Sequence, residues 1–170
     1  MVILLSTYLL PHQDSLAAIQ TLLIVILTMA FGYTMNDLYD LKGDAINHPN
    51  RVLVNQNISI TVAQFISFFC LICAMTIACY INFKSQMVYY LCIVPLLILY
   101  NKYLKILPLI GNIIISLLLA LTFIFAELVI MSSIHNLLLP AILAFNLSFI
   151  REILKDLHDY PGDLQVSKKT

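Results

Sequence analysis

Long apolar runs separated by short polar stretches organise this chain. Leu16–Met35, Ile58–Phe83, Met87–Tyr100 and Ile106–Met131 carry almost no charge. A further run starts near Leu137 and continues as a charged helix through Arg151 to about Asp159, and a shorter stretch, Val2–Leu10, precedes them all. No run alternates with period two, which argues against strands and a β-barrel. A helix of twenty residues is about 30 Å long, the thickness of bilayer hydrocarbon. Leu16–Met35 is therefore long enough to cross. Val2–Leu10 is too short to cross alone and reads as the remnant of a longer first helix; it also lacks the basic start and small-residue cleavage site of a signal peptide. Pro95 predicts a kink or tilt in the fourth run. The pattern predicts an all-α, polytopic transmembrane bundle of about six helical segments.

Composition agrees. The chain is 61% hydrophobic and 11% charged, against about half and about a quarter in soluble domains. Its formal net charge is zero, so no overall field points to nucleic acid. Trp is absent, and nine Tyr are available for the interfacial belt. Cys70, Cys73, Cys79 and Cys92 all lie inside apolar runs, so the C-x-x-C at Cys70 reads as buried, inert thiols.

The charges define a face. If the helices alternate in direction, Lys42, Arg51, Lys102, Lys105, Arg151, Lys155, Lys168 and Lys169 share one side, and only Lys84 lies on the other. The positive-inside rule makes the basic side cytoplasmic. Seven of the nine acids fall there too, as Asp37, Asp40 and Asp44, and as Glu152, Asp156, Asp159 and Asp163.

Those acids form a repeated motif. "DLYDLKGD" (Asp37–Asp44) and "DLHDYPGD" (Asp156–Asp163) both fit D-L-x-D-x-x-G-D, and each follows an apolar helix. Positions i, i+3 and i+7 share a helix face. Gly43, Pro161 and Gly162 predict that each helix ends before its last carboxylate, leaving that residue on a turn. Clustered carboxylates repel and hold their protons unless a cation intervenes. Mg²⁺ prefers hard oxygen ligands and binds through a few carboxylates plus substrate phosphates. Two such clusters facing one another would hold Mg²⁺ around a diphosphate, with Arg51, Lys105, Arg151 and Lys155 gripping remaining phosphate oxygens. The competing reading is ordinary surface acids on solvated loops. The matched spacing, the shared face and the scarcity of charge elsewhere favour the metal site.

Other residues carry weaker signals. Glu127 lies about 31 Å along its run and is expected to snorkel to the outer interface. Asn112 and Asn146 either line a chamber or bond a neighbouring helix. His158 reads as a bystander, since Mg²⁺ disfavours imidazole. The Tyr89–Tyr90 pair reads as interfacial belt.

"NDLYDLKGDAINHPNRVL" resembles the first aspartate-rich motif of the UbiA superfamily of intramembrane prenyltransferases, and "REILKDLHDYPGD" resembles the second. "YNKYLKILPLIGN" resembles the tyrosine–lysine segment between them. The resemblance implies a Mg²⁺ cofactor, a prenyl diphosphate donor, a hydrophobic or amphipathic acceptor, and attack of an allylic cation by that acceptor. It implies metal ligation by Asn36, Asp40 and Asp44, with Asp37 beside them, and by Asp159 and Asp163, with Asp156 upstream. Arg51, Lys105 and Lys155 match positions near phosphate. Asp40, Asp159 and Tyr100 are the expected catalytic residues, Tyr100 by stabilising cationic charge or orienting the donor. The second motif is most similar to the digeranylgeranylglyceryl-phosphate synthase branch, which implies a prenylated glycerol phosphate acceptor. Branches with aromatic, quinone or chlorophyll-type acceptors share much of the pattern. The family has nine helices, so residues 1–170 are expected to be one incomplete transferase domain. Two other classes compete. CDP-alcohol phosphatidyltransferases need a Gly where Leu41 follows Asp40, and an Ala-Arg that does not appear. A divalent-cation transporter would place its acids near the bilayer midplane. An inactive membrane fragment is the remaining reading.

Overall fold

The protein is described by a computed structural model covering residues 6, 8–10, 14–107 and 109–165, without the side chains of residues 47 and 159–165. Five helices make up the described bundle: α1 (Ser15–Asn47), α2 (Ile60–Ala78), α3 (Phe83–Lys102), α4 (Ile110–Met131) and α5 (Leu138–Gln165). A 3-10 turn, Leu104–Ile106, joins α3 to α4. No strand occurs among the described residues. By length and composition α1 to α4 are able to cross a membrane. The Val2–Leu10 run lies largely outside the described residues, although Leu10 itself packs with Ala120, Phe123, Leu137 and Ala141.

α1 starts where Asp14 caps it, the carboxylate accepting from the Leu16 and Ala17 N–H groups at 3.0 and 3.3 Å. Without a cap those donors would be unpaired. The helix then runs for 33 residues, about 50 Å. That exceeds the hydrocarbon thickness, and the surplus is the polar end. The predicted end before Asp44 is therefore wrong: Gly43 is helical, and the first motif rides on an extension of α1. α5 likewise continues through Pro161 and Gly162 to Gln165.

α1 is the hub and touches each of the other four helices. Ala17, Ile24 and Phe31 recur every seven residues on its core face. Against it, α2 turns Ala63, Ser67, Leu71, Ala74 and Ala78 inward, while Phe65, Phe68, Phe69 and Ile72 stay exposed. Small residues inside and large ones outside suit a helix in lipid, where close backbone packing replaces hydrophobic exclusion.

The expected irregularity in the fourth run takes the form of a π-helical stretch, Tyr89–Ile93, in which the Val94 N–H reaches the Tyr89 carbonyl. Pro95 has no N–H to give, so the wider turn absorbs the defect. The bulge turns Tyr89 into the core, 1% exposed, with its hydroxyl 2.7 Å from Thr28 Oγ1. Tyr89 is thus a core residue and not interfacial belt.

Glu127 also departs from expectation. It is wholly buried. Its Oε1 accepts from the His135 and Asn136 N–H groups at 2.9 and 2.7 Å, and its Oε2 from the Leu137 N–H at 2.9 Å. These donors lie just before α5, where backbone N–H groups and the helix dipole favour an anion. Glu127 does not snorkel; it ties the end of α4 to the start of α5.

Candidate active site

One end of the bundle collects the polar ends of four helices. α1 brings Asn36, Asp37, Asp40 and Asp44 there. The loop after α1 folds back, and Arg51 Nη1 donates to Asp37 Oδ1 at 2.8 Å and to Asp44 Oδ2 at 2.6 Å. From the 3-10 turn, Lys105 Nζ lies 3.1 Å from Asp40 Oδ1 and donates to the Asn36 carbonyl at 3.3 Å. It also stands 5.4 Å above the Tyr39 ring. Two cations thus interleave three carboxylates, which relieves the repulsion their helical spacing creates.

Lys105 is held there by a tight backbone crossing. A Cβ on Gly111 would lie 3.0 Å from Lys105 Cα and 3.2 Å from the Leu104 carbonyl oxygen. Only glycine lets α4 begin so close to the turn.

α4 then reaches the second motif. Asn112 Nδ2 donates to Asp156 Oδ2 at 2.7 Å. On α5, Glu152 is buried and accepts from the exposed Arg151 guanidinium. Tyr100, half-buried at the end of α3, lies within electrostatic reach of Glu152, Asp40, Asp156 and Arg151. Gly111 packs against the Lys105 backbone, and the next residue, Asn112, bonds Asp156, so the two motifs belong to one end of the bundle.

Most of the predicted site residues come together in this way: Asn36, Asp37, Asp40, Asp44, Arg51, Tyr100, Lys105, Arg151 and Asp156. Lys155 and His158 are exposed on α5. Asp159 and Asp163 are on the same helix, with side chains outside the described set. Among the described residues no three Asp, Glu, His or Cys side chains close into a metal cage. Sequence reasoning counted Glu152 among the acids of the second cluster but gave it no role in the site. Its spacing of four from Asp156 was the available signal. It also left Asn112 undecided, since a bond between α4 and α5 is invisible to periodicity.

Helices of spanning length, with a charged site at one end, define an integral membrane protein. The chain belongs to the UbiA prenyltransferase family, which it matches over residues 1–170. It is 32% identical over 150 residues to a digeranylgeranylglyceryl phosphate synthase of Saccharolobus solfataricus, covering 87% of this chain and 53% of that protein. A synthase of the same name from Methanothrix thermoacetophila is 38% identical over 146 residues, covering 86% and 54%. A solved structure concerned with digeranylgeranylglyceryl phosphate synthase in membranes superposes with a TM-score of 0.71 at 28% identity, over 96% of this chain and 58% of that one. The chain spans about half the length of the curated relatives it matches.

Proposed function

We propose that this chain carries the donor site of a Mg²⁺-dependent intramembrane prenyltransferase. Its donor is a prenyl diphosphate and its acceptor a prenylglycerol phosphate. The observation that supports this reading is that Lys105 on Asp40 and Asn112 on Asp156 are brought together at the Gly111 crossing. The acceptor is inferred from the product for which the similar synthases are named.

The donor set suits a hard divalent cation. Among the described residues, Asn36, Asp37, Asp40, Asp44 and Asp156 offer carboxylate or amide oxygens, and Arg51 and Lys105 stand among those of the first motif. Asn36, Asp37, Asp40 and Asp44 would hold Mg²⁺ on one side, and Asp156, Asp159 and Asp163 on the other. Bound there, Mg²⁺ supplies charge neutralisation for the leaving diphosphate.

The chain's own groups do the rest. Arg51 and Lys105 lend charge to the phosphate oxygens from within the first motif. Arg151 and Lys155 add donors from the exposed rim. Tyr100 sets an aromatic ring where an allylic cation is attracted to its π face. The exposed apolar sides of the helices keep the isoprenoid tail in hydrocarbon, leaving its diphosphate at the polar end.

Membranes containing the protein are given Mg²⁺, a radiolabelled prenyl diphosphate and a prenylglycerol phosphate. Mg²⁺-dependent retention of the diphosphate and transfer of the label are expected. Asp40→Ala is expected to lower transfer about 100-fold or more, the scale of removing an electrostatic stabiliser. Undiminished transfer by that variant defeats the reading. So does Mg²⁺ flux into sealed vesicles with no diphosphate retained, which favours a transporter.

A further inference from the structure

Glu152 takes no part in the reading above, yet it is buried more deeply than Asp156, the other described acid of the second cluster. It is 6% exposed, and Ser148, one turn earlier on α5, is 5% exposed. Ser148, Glu152 and Asp156 recur every four residues, so they form one polar stripe on α5. Asn112 of α4 meets this stripe at Asp156, and Ser116, one turn further along α4, is fully buried. The stripe therefore lies at the packed α4–α5 contact and leads from the polar end into the bundle. Glu152 is one turn deeper than Asp156.

Burying a carboxylate in a membrane protein is unfavourable unless it is paired or used. Glu152 accepts from Arg151, whose side chain is 72% exposed at the rim. Asp40 and Asp156 have Lys105 and Asn112 as partners and belong to the motifs that would hold metal. Glu152 lies upstream of the matched D-L-x-D-x-x-G-D spacing, one turn from Asp156, and is buried where the polar stripe enters the bundle. The charged groups beside it on α5 are Arg151, which donates to it, and Asp156, one turn on. A carboxylate one turn deeper in the bundle than the motif residue Asp156 is where an acceptor would be deprotonated.

We infer that Glu152 is the general base that takes the proton of an alcohol acceptor. This rests on the transferase reading above and deepens it, because an alcohol needs a proton acceptor in this step. The bond between the isoprenyl C1 and the diphosphate oxygen breaks, and its electron pair leaves with the diphosphate. The acceptor hydroxyl oxygen gives a lone pair to C1 and forms an ether bond. Its proton passes to the Glu152 carboxylate. A protonated ether is a strong acid, so even a carboxylate paired with arginine accepts from it.

The test separates ionisation from capture. Protein in lipid nanodiscs is mixed with Mg²⁺, radiolabelled prenyl diphosphate and prenylglycerol phosphate. Released diphosphate, prenyl alcohol and ether product are then measured on quenched samples. Glu152→Gln is expected to bind the donor within about twofold of the unsubstituted protein and still release diphosphate. Its label should shift to the prenyl alcohol, with ether formation reduced about 100-fold. Glu152→Asp is expected to restore part of the ether product. Ether formation at the unsubstituted rate in Glu152→Gln overturns the inference. Joint loss of donor binding and transfer also overturns it, marking Glu152 as structural. If the unsubstituted protein releases no diphosphate, the transferase reading fails and this inference with it.

Discussion

Arg51 and Glu127 solve the same problem, a carboxylate that cannot stay bare, by different means. Arg51 bridges Asp37 and Asp44 from a loop. Glu127 needs no cation, because three backbone N–H groups converge on it. Replacing it with Leu leaves those donors unpaired at the start of α5. Glu127→Leu is expected to destabilise the protein by roughly 1–3 kcal/mol, and Glu127→Gln by less, as one acceptor oxygen remains. Thermal unfolding in detergent checks both. The motif aspartates were legible as sequence because their chemistry and spacing are local. Glu127's partners lie eight to ten residues on, across a turn, and hydropathy alone suggested the wrong environment.

At the level of the element, length and irregularity place the site. α1 is longer than the hydrocarbon it crosses, so its last turns carry Asp37, Asp40 and Asp44 out on a rigid helix. Glycine and proline were read as helix ends, but α1 continues past Gly43 and α5 past Pro161. Apolar periodicity located the helices well and their ends poorly, since ends depend on caps such as Asp14 and Asn82. The 3-10 turn depends on Gly111. Gly111→Ala puts a methyl against the Lys105 backbone and is expected to move Lys105 from Asp40. Mg²⁺-dependent retention of prenyl diphosphate should weaken about tenfold, equivalent to about 1.4 kcal/mol, with the helical circular dichroism unchanged. Equilibrium binding of labelled donor measures it.

Across the whole molecule, the alternation of helices and the bias of basic residues agree. The charged end gathers Arg51, Lys105 and Arg151, while Lys84, at the start of α3, donates to the Ser132 carbonyl just beyond α4 at the other end. The charged end is therefore expected in the cytoplasm. A Cys-free variant carrying Asn50→Cys should react with an impermeant maleimide in inverted vesicles and not in intact cells. Reaction in intact cells reverses the assignment.

By itself the sequence determined the class of fold, the two carboxylate motifs and the family, because hydropathy and short-range spacing act within a single helix. Tertiary structure decided which side chains meet. It put Asn112 on Asp156, Lys105 on Asp40, Glu127 under α5 and Glu152 in the bundle. Those contacts depend on the register between helices, which side-chain volume and backbone approach set only once the chain has packed.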